Sequence, residues 1–335
     1  MFMFYDREKE LALLRTFVES EPNTIFFIYG PINSGKTTLL MEFSRRLSED
    51  FVPFYINLRW HAISSPSDFL NILFSIHRGK KDVVKAIVED LPGIIHGIPV
   101  PKALLREVIG NHENAFSYII ETLKKIRKSG KIPILILDEL QKVEDLKING
   151  PLLYELFNLL VGLTKELHLA HVFTITSDSL FIEKVYSEAM LHGRAEFFLV
   201  DDFDEDTARE FLEELGFKGE EIELVIRHFG GKPSYLTLAS LHKDNLEEWC
   251  RGELDTRENW IKFKLNDLKR ENGIIYREVI RILKSFMDSE FIKIEDVSPG
   301  IRWLVKQNIL FLDPKKGILR PQGRLELLAI RRIVG

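Results

Sequence analysis

Wholly apolar or alternating runs of strand length recur at residues 24–30, 51–58, 132–137, 172–176 and 196–200, and the stretches between them repeat apolar residues at the spacing of amphipathic helices. Strands that alternate with helices predict an α/β chain whose five strands lie parallel in one sheet covered on both faces. Such runs stay apolar throughout because neither face meets water. The link from residue 60 to residue 130 is longer than one crossover helix needs. It reads as an insertion with helices at 66–76, 81–89, 103–109 and 113–128. Residues 91–101 hold too many prolines and glycines for a helix, which predicts an apolar loop, either buried or open to a partner.

Beyond residue 200 the strand signal stops. The acidic turn Asp201-Asp202-Phe203-Asp204-Glu205-Asp206 offers caps to small helices at 207–215, 220–229 and 233–241, a helical lid over residues 201–252. Residues 253–335 change pattern again, with helices at 274–286 and 301–307 and two short strands at 309–312 and 317–320 around Asp313-Pro314-Lys315-Lys316, a hairpin. The expected organisation is a core at 1–200 carrying the insertion at about 60–130, then the lid, then a C-terminal domain.

Composition narrows the function. The 335 residues carry a net charge of −5 and one cysteine, Cys250, which excludes a disulfide scaffold and a zinc site built on several cysteines. No apolar stretch reaches bilayer-spanning length, and the first residues turn charged too early for a secretion signal, so a cytoplasmic protein without membrane contact is expected. In residues 255–335 Lys and Arg outnumber Asp and Glu, the reverse of the whole chain. That surplus points either to a polyanionic partner or to a solvated helical surface. His168 and His171 stand three apart, as if on one helix face, but no third metal ligand accompanies them.

The chemistry is concentrated in Gly30-Pro31-Ile32-Asn33-Ser34-Gly35-Lys36-Thr37, which fits G-x-x-x-x-G-K-[ST], follows an apolar strand and opens a helix at Thr38. Glycines let main-chain N–H groups approach phosphate oxygens, and the helix N-terminus adds positive potential. Gly30, Pro31, Asn33, Ser34, Gly35, Lys36, Thr37 and Thr38 are the expected nucleotide contacts. Lys36 would reach the β- and γ-phosphates, and the Thr37 hydroxyl would ligate Mg²⁺. The run Ile134-Leu135-Ile136-Leu137-Asp138-Glu139 supplies the acidic partner: Asp138 for the magnesium shell, and Glu139 to polarise an attacking water. Ser177, after the strand at 172–176, is a candidate γ-phosphate sensor; alternatively, Ser177 or Asp178 merely caps the following helix.

These motifs, together with Phe4-Tyr5-Asp6-Arg7-Glu8-Lys9-Glu10-Leu11, His192-Gly193-Arg194-Ala195 and Gly230-Gly231-Lys232-Pro233, resemble the archaeal ATPase family of the STAND group, relatives of AAA+ ATPases. The resemblance covers residues 2 to about 245 and, more weakly, the rest. It implies a P-loop NTPase core with a five-stranded sheet of additional-strand type, a helical lid and a C-terminal winged helix. It also implies ATP and Mg²⁺ as cofactors, Arg7 near the adenine, and Pro233 packed beside the nucleotide. Thr176-Ser177-Asp178 departs from the small Gly/Ser residues usual in the family, leaving Asp178 without a role. By the same resemblance Arg194 is a candidate arginine finger acting in a neighbouring subunit, which would require a homo-oligomer. Otherwise it is a surface residue after a C-cap glycine.

In the C-terminal domain, residues 298–307 occupy the recognition position of a winged helix, and residues 313–317 the wing tip. Arg302, Lys306, Lys315, Lys316, Arg320 and Arg324 would then face DNA phosphates. Winged helices also contact proteins, so the expected activity, Mg-dependent ATP hydrolysis, has two outputs in view: a DNA-associated oligomer of replication or repair, or a signalling switch with protein partners.

Overall fold

The computed structural model describes residues 4–60, 62–79, 82–90, 93–144, 152–187 and 191–335. Helix α1 (Glu8–Glu19) leads into β1 (Ile25–Tyr29), the phosphate-loop motif, α2 (Lys36–Arg45) and β2 (Phe51–Asn57). The insertion follows as α3 (Pro66–Leu73), β3 (Phe74–His77), α4 (Val83–Asp90), β4 (Ile95–His96), β5 (Ile98–Pro101), α5 (Leu105–Val108) and α6 (His112–Lys128). Then come β6 (Ile132–Asp138), α7 (Leu152–Val161), β7 (His171–Thr176), α8 (Ser179–Ser187) and β8 (Ala195–Leu199).

The main sheet has six strands in the order β4-β2-β6-β7-β1-β8, every pair parallel. Strand β7 therefore separates the strand before the phosphate loop from the strand that ends in Asp138. Both faces are filled. Phe26 and Ile28 of β1 pack with Leu14, Leu40 and Phe43 of α1 and α2, while Phe27 and Tyr29 pack on the opposite side with Ile119 and Phe157. This two-sided burial is why the strands read as unbroken apolar runs.

The five expected strands are present, and β4 is a sixth. It comes from the 91–101 segment expected to be a loop, of which Leu91 and Pro92 lie outside the described residues. Ile95, Ile98 and Val100 are buried, β4 extends the sheet beyond β2, and β5 pairs in parallel with β3. The prolines do forbid helix here, but Pro99 and Pro101 are tolerated in a short strand at a sheet edge. Gly97 (φ +69) turns the chain between the two strands. The helix expected to reach residue 76 stops at Leu73, where Phe74 turns extended and begins β3. The helix expected at 103–109 contracts to the single turn of α5. His171 opens a strand, so it shares no helix face with His168.

The segment expected as a lid comprises α9 (Glu205–Glu214), α10 (Glu220–Phe229) and α11 (Pro233–Ala239). The 26-residue α12 (Leu246–Glu271) runs on from it to α13 (Gly273–Lys284), β9 (Ile292–Lys293), α14 (Pro299–Lys306), β10 (Leu310–Asp313), β11 (Ile318–Pro321) and α15 (Arg324–Val334). The expected hairpin is β10–β11, and β9 completes a three-stranded antiparallel sheet in the order β10-β11-β9. Lid and C-terminal elements share one apolar core, from Phe211 and Phe229 through Leu254 and Ile261 to Ile330.

This C-terminal unit docks on the core beside the phosphate loop. The Tyr29 hydroxyl donates to Asp313 Oδ1 at 2.9 Å, and the Leu312 N–H donates to Ser179 Oγ at 3.2 Å. Arg320 pairs with Asp201 at 2.5 Å. Phe311 inserts into the apolar core of the sheet domain and stacks with Tyr29.

Candidate nucleotide site

The phosphate loop sits at the carboxyl ends of the parallel strands, where β1 passes into α2. A side chain at Gly30 would meet the Val200 carbonyl at 2.1 Å, so only glycine fits there. Gly35 (φ +91) provides the left-handed residue from which α2 starts. Ser34 Oγ donates to the Val200 carbonyl at 2.7 Å and ties the loop to the end of β8. The first N–H groups of α2 have no acceptor within the helix, and Gly35 to Thr38, which carry them, line the cavity.

A cavity of about 300 Å³ opens over this loop, lined by Asn33 to Thr38 along its floor. Phe4, Tyr5, Arg7, Phe203 and Pro233 line one side of it, where Tyr5 meets Phe203 edge-on and the Arg7 guanidinium lies over the Phe203 ring. Arg59, Glu139 and Ser177 close its polar end. Pro233, the first residue of α11, thus lies where the lid meets the loop. Arg7 is held from several sides: its guanidinium donates to the Ser34 carbonyl at 3.1 Å, to the Asp201 carbonyl at 2.6 Å and to Glu10 at 2.8 Å, and it stacks over Phe203.

Lys36 Nζ donates to the Pro31 and Gly30 carbonyls at 2.6 and 3.1 Å. Burial pushes its pKa down to about 7, and the Lys232 cation adds to the effect, against the pull of Glu139, Asp202 and Asp138. The charged form is therefore stabilised further by any polyanion entering the loop.

Thr37 and Asp138, 101 residues apart, meet directly: Thr37 Oγ1 donates to Asp138 Oδ2 at 3.0 Å. The same oxygen accepts from the Tyr55 hydroxyl at 2.7 Å, and Tyr55 in turn accepts from Asn57 at 2.9 Å. Asp138 Oδ1 is buried with no hydrogen-bond partner among the described residues. Burial raises this carboxyl's pKa, while the bonds from Tyr55 and Thr37 oppose the rise. An orphaned carboxylate oxygen beside a threonine hydroxyl fits a small, hard cation that completes its shell with phosphate and water oxygens.

Glu139 adopts a left-handed backbone (φ 65), its N–H bonded to the Ile175 carbonyl at 2.9 Å. One carboxylate oxygen is paired with Arg59; the other accepts from Gln141 Nε2 at 2.9 Å. Gln141 Oε1 accepts from the Thr176 hydroxyl at 2.7 Å, linking the ends of β6 and β7. Asp178, one of the two residues expected as an alternative cap, does cap α8 by accepting from the Leu180 and Phe181 N–H groups. Ser177 is left lining the cavity.

Arg194 precedes β8 at the opposite end of the sheet, where its carbonyl accepts from the Ile25 N–H at 2.9 Å. The chain does not bring it to its own phosphate loop. Of the cations expected to face DNA, Arg320 and Lys315 bond within the chain to Asp201 and the Phe197 carbonyl, and Arg324 bonds to Glu290. Only Arg320 is drawn against the core by the docking of β11; Lys315 stays exposed at the hairpin turn, and the Arg324 bond lies within the C-terminal unit.

Sequence reasoning missed Arg59, Tyr55, Lys232 and Gln322. Lys232 Nζ donates to the Ile32 carbonyl and to Asp202 Oδ1, both at 3.0 Å. Gln322 Oε1 accepts from the Ile32 N–H at 3.1 Å. Lys232 lies within the Gly230–Pro233 motif, where only Pro233 was given a role, and the other three belong to no local motif.

A family model described as "ATPase domain predominantly from Archaea" matches residues 4–239. A second, described as "Uncharacterized ATP-binding protein MJ1010-like, C-terminal domain", matches residues 247–334. An "uncharacterized ATP-binding protein" of Pyrococcus abyssi is 50% identical over 99% of both chains, and one of Methanocaldococcus jannaschii is 45% identical over 99% of this chain and 97% of its own. Among solved structures, "the Walker-type ATPase PABY2304" of Pyrococcus abyssi has a similar fold (TM-score 0.66, 17% identity, 98% of this chain and 96% of that one). So does the ORC2 protein of Aeropyrum pernix in its ADPNP–ADP complexes (TM-score 0.50, 12% identity, 99% and 94%).

Proposed function

The chain belongs to the ATP-binding archaeal ATPase family matched over residues 4–239, and from that premise we propose that it hydrolyses ATP and uses nucleotide state to set how its lid and C-terminal unit sit on the core. The observation that carries the proposal is the Thr37–Asp138 contact with its orphaned Oδ1, which joins the phosphate loop to the acidic strand end.

Thr37 and Asp138 would hold Mg²⁺, directly or through water. When bound, the ion neutralises charge on the β- and γ-phosphate oxygens. Lys36 exchanges its loop carbonyls for phosphate oxygens. Water attacks the γ-phosphorus in line, its oxygen bonding to phosphorus as the bond to the β–γ bridging oxygen breaks. Glu139 orients that water and accepts its proton, and ADP and inorganic phosphate leave. Because Glu139 is engaged by Arg59 and Gln141, it must be released from Arg59 before it can serve as base. Ser177, at the polar end of the cavity, senses the γ-phosphate. Arg7 and Pro233 hold the base end.

We assign the chain to the STAND branch and its C-terminal elements to a winged helix, with α14 as recognition helix and β10–β11 as wing. The bonds Tyr29–Asp313, Ser179–Leu312 and Asp201–Arg320 support a switch reading, in which ATP loosens or tightens this docking. DNA association is the alternative output: Lys315 and Lys316 are exposed at the hairpin turn, and Arg320 would join them if the unit left the core. Arg194, remote from its own loop, would complete a neighbouring subunit's site in a cytoplasmic homo-oligomer. Calorimetry with Mg-ATP tests the first step: wild-type protein should bind, and heat absent from wild type would end the reading. Retarded DNA migration lost on reversing the charges of Lys315 and Lys316 would favour the DNA output; unchanged migration would leave protein partners.

A further inference from the structure

A second cavity, of about 500 Å³, adjoins the polar end of the first and shares Ile32, Arg59, Glu139 and Ser177 with it. Its far wall belongs to the C-terminal unit: Lys306, the last residue of α14, and Asn308 just beyond. A nucleotide seated in the first cavity with its base at Phe203 directs its terminal phosphate toward this shared mouth.

The charges around the chamber do not cancel. Arg59 is paired with Glu139. Asp178 spends its Oδ1 on two N–H groups at the start of α8. Lys142 and Lys306 line the chamber and have no hydrogen-bond or ion-pair partner among the described residues. Lys306 is exposed, and its charge is felt at Asp178 across the chamber. The carboxyl end of a helix repels an anion, so without a cation on its last turn α14 would be a poor wall for a phosphate. Lysine is a flexible point charge with the reach to close such a gap.

We propose that Lys306 recognises the γ-phosphate in cis, so that a triphosphate, but not a diphosphate, gains a contact from the C-terminal unit. This rests on the ATP-site reading and adds to it a residue from outside the matched ATPase domain. The cation at the γ end then comes from the same chain, and triphosphate discrimination and domain docking become one event: a ligand that binds the docked arrangement more tightly favours it by that difference in affinity.

The test is calorimetric titration of the full chain with Mg²⁺ and either ADP or a non-hydrolysable ATP analogue, on wild type, Lys306→Glu and Lys306→Arg. Lys306→Glu should weaken analogue binding on the order of tenfold and leave ADP affinity unchanged, while Lys306→Arg keeps most of the preference. The ADP affinity reports that the variant is folded. An unchanged analogue-to-ADP ratio in Lys306→Glu, or an equal loss for both nucleotides, overturns the role of Lys306 and leaves the ATP site standing. Wild type that binds neither nucleotide overturns both.

Discussion

The Ile32 N–H donates to Gln322 Oε1 at 3.1 Å across 290 residues of sequence, and the carbonyl of the same residue accepts from Lys232 Nζ at 3.0 Å. The phosphate loop is therefore gripped at one residue by the C-terminal unit and by the lid. A loop that rearranges on meeting a triphosphate cannot do so without pulling on both, which gives the proposed switch a physical linkage.

Lys232 is also ion-paired with Asp202, both side chains well buried. Burial raises the Asp202 pKa, and Lys232 is the main influence holding it down. Lys232→Met should destabilise the protein by about 3 kcal/mol, because it strands a buried carboxylate. Adding Asp202→Asn should recover most of that loss. Denaturant unfolding of the two variants decides it; a double variant as unstable as the single one would remove the ion pair as the cause.

For catalysis, Lys36→Ala should abolish ATP binding, whereas Glu139→Gln should bind ATP with turnover reduced by roughly 10² to 10⁴. Phosphate-release assays that find normal turnover in Glu139→Gln would reject it as the base. Mixtures of Arg194→Ala and Glu139→Gln subunits should regain activity when Arg194 acts across an interface, since only a mixed site then holds both groups.

Arg59 is largely exposed yet paired with Glu139. Arg59→Ala should cost only about 1 kcal/mol, because Arg59 itself stands largely in solvent and the buried Glu139 keeps its bond from Gln141. Basal ATPase turnover should rise, because Glu139 is no longer held away from the water. A fall in turnover would instead mark Arg59 as a group that contacts phosphate.

His171 is fully enclosed at the start of β7, beside Phe17. Burial, reinforced by the Arg127 charge, lowers its pKa from 6.5 to about 4. The unfolded chain therefore binds the proton more readily. The stability this residue permits is complete above pH 6.5 and falls as pH drops toward 4, by about 3 kcal/mol in all. His171→Leu should remove that part of the pH dependence in urea unfolding between pH 4 and 6.5; identical slopes in both proteins would show that the imidazole is not buried neutral.

Much of the site was legible because its chemistry is written in short windows. The spacing Gly30, Gly35, Lys36, Thr37 after an apolar strand, and Asp138-Glu139 after another, each announce a strand end whose local geometry suits the phosphate or metal proposed for it. The five main strands were legible for the same reason, since burial on both faces leaves an unbroken apolar run. The 91–101 segment was not: its prolines and glycines reveal what it cannot be, while the strands β4 and β5 exist only because β2 and β3 offer edges to pair with.

The residues that only the tertiary structure supplied are those whose partners lie far along the chain. Arg59 acquires a function from Glu139, Lys232 from Ile32 and Asp202, and Gln322 from the phosphate loop. Arg320 lost the outward placement expected of it when β11 docked on the core and met Asp201. Sequence determines what a residue can do within its own strand or turn. Long-range packing decides which charge it meets, and a lone Arg, Lys or Gln carries no local pattern from which that meeting can be read.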